Sequence, residues 1–254
     1  MDPLFLSKEK IRALLPMNEC IDVMEETFRS LARGELLQPL RSLMRLPDKS
    51  GLLGMMPGHA ENIGVMGIKV ISVFPRNSEA GYPSHQGVVI LFDGKHGQPL
   101  LMLDAFEVTA IRTAAASAVA TRILARENSE VVAIIGSGEQ AERHIEAMLL
   151  ARKINQINVW SRTERNARAL LEKVAERFGI SVAVKTNVKD AVRNADIICT
   201  VTASADPVVF GDWIKDGTHI NAVGACTPDI MIVPLNLAFC LGASSNAQET
   251  HFSA

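Results

Sequence analysis

The sequence has no surplus of charge of either sign. Its 254 residues carry 26 Lys and Arg against 28 Asp and Glu, a formal net charge of −2. Without a basic excess there is no electrostatic footprint for nucleic acid, and without an acidic tail there is no sign of a disordered arm. Long apolar runs are missing too. No uninterrupted stretch approaches the ~18 residues that a membrane-spanning helix needs. The opening MDPLFLSKEK is charged at once and lacks the pattern of a signal peptide. Cysteine is sparse: Cys20, Cys199, Cys226 and Cys240 are scattered, with no CxxC or Cys/His spacing. Neither a disulfide framework nor a metal site is expected, and the chain reads as a reduced, cytoplasmic protein.

What is present is apolar and ordered. With 48% hydrophobic residues the chain can bury a core, as one large domain or two small ones. Ser7 suits a helix cap, and Met17–Arg33 puts Ile21, Met24, Phe28 and Leu31 on one helical face before Gly34 stops it. From Leu40 to Leu103, short apolar runs alternate with Gly, Pro, Asn and Asp, the texture of antiparallel strands, with a hairpin turn near Asp93–Gly97. VTAIRTAAASAVATRILARE is alanine-rich and predicts a closely packed helix. From Glu130 the rhythm becomes strand, helix, strand, helix. Near-continuous apolar strands separated by helices predict a parallel sheet covered on both faces. The fold class expected is α/β. A Rossmann-type domain at 125–254 joins an α+β, strand-rich domain at 1–124, with the boundary near 122–128.

The stretch EVVAIIGSGEQAERH carries the first chemistry. As a bare pattern, its glycines serve a ligand-free turn as well as a phosphate seat. The context decides, because an apolar strand runs into Gly136-Ser137-Gly138 and a helix opens behind it. Gly136 permits a sharp turn, Gly138 leaves room for a pyrophosphate, and Ala141 lets helix and strand pack closely. Glu139 and Gln140 open a helix whose free N–H groups suit an anion, with the Glu139 carboxylate expected to point away. An NAD site usually places an acidic residue at the end of the second strand. Here the strand ends in Ser161-Arg162-Thr163, two hydroxyls around a guanidinium that could fork onto a 2′-phosphate. NADP(H) is therefore favoured, with NAD(H) possible.

These motifs, in order, are GMMPG, GIKVISVFP, PSHQG, RTAAASAVATRILA, IIGSGEQAERH, VWSRTERNA, TVTAS and HINAVGACTPD. Together they resemble the ornithine cyclodeaminase/mu-crystallin family, from about Leu40 to Asp229. The resemblance implies hydride transfer between a nicotinamide and the Cα of an α-amino or α-imino acid, in a homodimer joined through the strand-rich domain. It implies that Arg45 and Arg112 bind the substrate carboxylate and that Lys69 is catalytic or orients the substrate. Asp229 would handle the substrate amine, and His85 would lie near the nicotinamide or substrate. Thr113, at the start of its helix, would touch the cofactor together with Arg112, as would Val201, Thr202 and Ala203 of TVTAS and Val223 and Gly224 of HINAVGA.

Two departures sharpen the expectation. Cyclodeaminases of this family carry a glutamate two residues before the Met-Pro pair, to bind a distal amine, and here that position is Gly54. With the Ser161-Arg162-Thr163 strand end, this points to an NADPH-dependent reductase of cyclic ketimines or other α-imino acids. The alternatives are an ornithine cyclodeaminase or an alanine dehydrogenase using NAD, and a non-catalytic NADPH-binding protein. The second departure follows Asp229, where IMIVPLNLAFCLGASSNAQETHFSA does not match the family. Exposed apolar surface, lower stability or a covering partner is the expectation there.

Overall fold

A computed structural model describes residues 3–202, 204 and 206–224. The chain divides into two compact units, Met1–Arg112 and Thr113–Ala254. The division falls inside one helix, at whose far end the expected boundary near 122–128 lies.

The first unit is built on a sheet. Its strands are β1 (Leu4–Leu6), β2 (Leu36–Leu37), β3 (Ser42–Arg45), β4 (Leu52–Ala60), β5 (Val65–Val73), β6 (His85–Asp93) and β7 (Pro99–Asp104). They run in the order β1-β7-β6-β5-β4-β2, with β3 also on β4. All pairings are antiparallel except β1 on β7. Glycines in the left-handed region close the hairpins: Gly64 (φ 62°) between β4 and β5, and Gly97 (φ 72°) between β6 and β7.

Two helices follow β1. Helix α1 (Lys8–Leu14) is capped by Ser7, whose side chain accepts from the Lys10 amide. Helix α2 (Met17–Ala32) ends where Gly34 turns left-handed (φ 75°). The expected apolar face of α2 is only half realised. Met17, Cys20 and Ile21 are buried, but Phe28 and Leu31 are 38% and 42% exposed. The 3.6-residue stripe is real, yet only its first half is covered. Helix α3 (Ala105–Leu124) leaves β7 directly, so it begins earlier than its alanine-rich stretch. Thr113 therefore stands in mid-helix rather than at a helix start. Glu107 of α3 is fully buried and pairs with Arg12 of α1 at 2.8 Å.

The second unit holds β8 (Val131–Ile135), α4 (Glu139–Ala151), β9 (Gln156–Trp160), α5 (Glu164–Phe178), β10 (Val182–Val184), α6 (Val188–Val192), β11 (Ile197–Thr200) and β12 (His219–Ala222). The strands are all parallel, in the order β10-β9-β8-β11-β12. Residues Val132 to Ile135 and Ile197 to Cys199 have no exposure at all, as expected of strands covered on both faces. On one face Ala133, Ile135, Ile198 and Ile220 pack with Ala191, Val192 and Val209. On the other, Asn221 meets Thr121, Met148 and Cys199. Both cysteines among the described residues, Cys20 and Cys199, are buried thiols. No helix of the described residues is long and apolar enough to cross a membrane.

Candidate active site

In the strand-rich unit, register decides which side chains share a face, because directly paired residues point the same way. Arg45 pairs with Leu52, Leu52 with Val73, and Val73 with His85. Lys69 pairs with Met56 and Val89 on the same face. The face therefore holds Arg45, Lys69 and His85 together, but not in one place. Arg45 and His85 sit in a row four residues along the strand from Lys69, ~13 Å at strand rise. Arg41, two residues before Leu43 on the same side, extends toward the Met56–Lys69 row. Sequence reading did not single it out, since alternation shows only which residues share a face, not which row they join.

Helix α3 brings Thr109 and Arg112 to this face. Lys69 Nζ lies 3.5 Å from Thr109 Oγ1. Burial, with the charges of Arg112 and Arg41 acting in the same direction, lowers the Lys69 pKa to about 8. Burial likewise lowers Arg112, with Arg41 adding to it and the Cys20 thiol opposing. His85, beside the Ser84 hydroxyl at 3.0 Å, is lowered by burial and then by Lys69. The charges that act on Lys69 are both cations, so an anion placed among them would relieve repulsion as well as gain attraction. Arg45 is exposed at the end of β3. Gly54 shares the face one row from Lys69. A Cβ built on it would meet carbons of Ile71 and Leu43 at 3.4 Å and of Met56 at 3.6 Å, so its surroundings are apolar.

The second unit offers a different kind of seat. Sheet order reverses direction at β8, with β9 on one side and β11 on the other, and a crevice at the carboxyl ends of such strands is where doubly wound sheets take ligands. Gly136 (φ 135°) makes the turn after β8. A Cβ there would come within 2.7 Å of the Val201 carbonyl, so only glycine fits. Gly138 caps α4 with no side-chain bond, and a Cβ there would meet nothing within 4 Å. The turn is thus open where a phosphate would sit; the Ala141 amide donates to the Gly138 carbonyl, and the Glu139 and Gln140 amides before it have no helical carbonyl to reach. Ala141 is fully buried. Glu139 turns along the helix to pair with Arg143 at 3.4 Å.

Side chains tie this turn to the next strand. Ser137 and Ser161 share a hydrogen bond of 2.8 Å, and the Thr163 amide donates to Ser161 Oγ at 3.4 Å. Arg162 between them is exposed. Two buried oxygens, Gln140 Oε1 in the first turn of α4 and Thr113 Oγ1 on α3, have no partner among the described residues. Val201 and Thr202 follow β11, and the Val223 and Gly224 amides both donate to the Thr200 carbonyl, which puts all four at the carboxyl ends of their strands. A cavity of about 210 Å³ opens beside the turn, between Ser137, Gly138 and Glu139 and the α5 residues Asn166 and Lys173. His144 Nδ1 donates to the Gln140 carbonyl at 2.7 Å and its Nε2 accepts from Ser117 at 3.0 Å. Ala203 and Asp229 lie outside the described residues.

Comparison with known proteins adds names to this geometry. The model of the ornithine cyclodeaminase/mu-crystallin family matches residues 1–233. The chain is 36% identical over 231 residues to the ketimine reductase mu-crystallin of Mus musculus, covering 89% of this chain and 72% of the mouse protein. The Δ1-pyrroline-2-carboxylate reductase of Thermococcus litoralis, solved with NADH and L-proline, is 35% identical with a TM-score of 0.83. That match covers 86% of this chain and 68% of the archaeal one. An archaeal alanine dehydrogenase, a dimer with bound NAD, is 33% identical with a TM-score of 0.87, covering 93% and 72%.

Proposed function

Because the chain belongs to the ornithine cyclodeaminase/mu-crystallin family, we propose that it is an oxidoreductase acting on C=N bonds, reducing cyclic ketimines or other α-imino acids to amino acids with a nicotinamide dinucleotide. The observation that carries this reading is the cluster of Lys69, Arg112 and Arg41 on a partly buried sheet face, where burial and the neighbouring cations lower the proton affinity of Lys69 and Arg112.

An α-imino acid brings a carboxylate to such a face. Arg112 and Arg41 grip it, and the grip fixes where the C=N carbon lies. Lys69, with its pKa near 8, is still mostly an ammonium at neutral pH but releases its proton far more readily than an ordinary lysine. It donates a proton toward the imine nitrogen, which makes the neighbouring carbon a better hydride acceptor. Arg45, His85 and Asp229 complete the proposed set, His85 as a neutral hydrogen-bonding group. Gly54, among the carbons of Leu43, Ile71 and Met56, favours the ring methylenes of a cyclic imine over a distal ammonium.

The turn of the second unit fits a dinucleotide, since Gly138 is open and the buried Gln140 Oε1 there has no partner among the described residues. When bound, the reduced nicotinamide supplies the hydride. Gly136, Ser137, Gly138, Glu139, Gln140 and Ala141 form the phosphate seat, and Thr113, Val201, Thr202, Ala203, Val223 and Gly224 line the remainder. Ser161, Arg162 and Thr163 hold a 2′-phosphate, so NADPH is preferred to NADH. The chain acts as a homodimer. The sheet face opposite Lys69 carries Leu53, Met55, Ile68, Val70, Val88 and Ile90, with Met44 and Met66 exposed on it, an apolar surface suited to a second copy. On this reading residues 1–124 serve substrate and dimer, and 125–254 serve the nucleotide.

The test is NADPH and NADH oxidation with Δ1-pyrroline-2-carboxylate. Turnover with NADPH preferred is expected, and Arg162→Ala should raise the KM for NADPH about tenfold while leaving NADH unchanged. Conversion of ornithine to proline and ammonia without added NADPH would defeat the reductase reading.

A further inference from the structure

The ammonium of Lys69 has one neutral neighbour that the charge cluster does not explain. Thr109 stands on α3, about one turn before Arg112, and its Oγ1 lies 3.5 Å from Lys69 Nζ. The charged groups that act on that nitrogen are Arg112 on the same helix and Arg41 ahead of β3; the titratable His85 on β6 is itself lowered by Lys69, and Cys20 of α2 acts in turn on Arg112. Cations repel an ammonium and give it no preferred direction to point. A hydroxyl gives one in either protonation state, since it accepts from an ammonium and donates to a free amine. A carboxylate in its place would raise the lysine's proton affinity and neutralise the charge that a substrate carboxylate needs, and an alkyl group would hold nothing.

We propose that Thr109 is a positioning residue for Lys69: its hydroxyl anchors Nζ on the cationic face without neutralising that face. The inference rests on the reading of Lys69 as the group that meets the imine, and its test includes a readout independent of that reading. Thr109→Val keeps the shape and removes the hydroxyl, and Thr109→Ser does the reverse. Thr109→Ala serves if valine disturbs the packing.

The contact is long for a hydrogen bond, so its expected effect is small but directional. An accepted bond stabilises the ammonium, so Thr109→Val lowers the proton affinity of Lys69. Acetic anhydride labelling of Lys69 across pH, read by peptide mass spectrometry, should show a midpoint about half a unit lower in Thr109→Val and close to wild type in Thr109→Ser. With a cyclic imino acid and NADPH, kcat should fall about threefold with KM nearly unchanged. The alkaline limb of kcat/KM should move to lower pH by the same half unit, and serine should restore both. An unchanged labelling midpoint in Thr109→Val, or a shift that serine does not reverse, overturns the proposal. If wild-type protein turns over no imino acid, the reductase reading fails, and the labelling midpoint still decides the role of Thr109.

Discussion

Asp196 in the parallel-sheet unit and Lys69 in the strand-rich unit are both charged groups drawn partly out of water, and their surroundings answer them in opposite ways. Asp196 lies at the amino ends of β8 and β11. Its Oδ2 accepts from the Glu130 and Val131 amides at 2.9 Å each, and its Oδ1 from Arg126 at 3.0 Å and Lys215 at 2.7 Å. Burial works to raise its pKa, yet Lys215 and the two amides hold it at about 2. Four donors fill two oxygens, and the result is a fastening. Lys69 is met by Arg112, Arg41 and one hydroxyl, and its proton affinity falls instead. A charge whose neighbours oppose it costs the fold something, and that cost is repaid only when an anion arrives. The satisfied charge lies at the end of its sheet away from the glycine turn, and the unsatisfied cluster lies among the proposed substrate ligands.

The contrast breaks most visibly at Arg112. Arg112→Met should lower kcat/KM by about a thousandfold, ~4 kcal/mol of transition-state binding. Stability in urea should stay unchanged or rise, because a buried cation repelled by its neighbours has been removed. If the urea midpoint falls instead, Arg112 is a structural residue and the distinction between the two charges collapses. The converse is Asp196→Ala. It should cost about 3 kcal/mol by urea unfolding, since two backbone amides and two cations lose their acceptor. NADPH affinity of the folded protein should be nearly untouched. A variant as stable as wild type would show that the four bonds to Asp196 are worth no more than bonds to water.

The same contrast explains what was legible beforehand. The second unit declares itself locally. Each strand is a continuous apolar run, each helix has its own period, and Gly136 through Ala141 are adjacent in the chain, so the strand–helix rhythm and the glycine turn can be read from sequence. The first unit's site is assembled by register across β3, β4, β5 and β6 and by the approach of α3. No short window contains Arg41, Lys69 and Thr109, so Arg41 and Thr109 were missed, and Arg45 was named from its motif without its row being known. The alanine-rich run begins near Thr113 and so suggests a helix start there, whereas the helix already starts at Ala105, where β7 ends. The stripe on α2 was read from periodicity, which cannot say how much of a stripe is covered.

A second buried group in the parallel-sheet unit sharpens the comparison through pH. His144 is fully buried, and burial lowers its pKa to about 4, with the Gln140 carbonyl opposing only in part. A histidine with a folded pKa below its unfolded value of 6.5 contributes fully above pH 6.5, and that contribution is lost as pH falls toward 4. By pH 5 the loss should reach about 2 kcal/mol. His219, also lowered by burial, acts in the same window, so the difference between wild type and His144→Gln isolates His144. Urea unfolding at pH 7 and pH 5 should show a smaller drop in the variant. Equal drops would mean that His144 is solvated or paired in its protonated form. Lys69 sits on the other side of neutrality: its proton is lost near pH 8, so activity rather than stability should fall there.

The smallest effect separates the two glycines that open the nucleotide seat. Gly136 is held by the fold, with φ 135° and the Val201 carbonyl where a Cβ would go. Gly138 has φ −84° and open space, so no element of the described fold requires glycine there. If that space exists for a pyrophosphate, Gly138→Ala should leave the urea midpoint within about 0.5 kcal/mol of wild type yet weaken NADPH binding about tenfold, ~1.4 kcal/mol. Fluorescence titration of Trp160, at the end of β9, reads the affinity directly. An alanine that binds NADPH as tightly as glycine would mean that the open space is incidental and that the phosphates rest elsewhere on the turn. An alanine that unfolds the protein would mean that Gly138, like Gly136, answers to the backbone first.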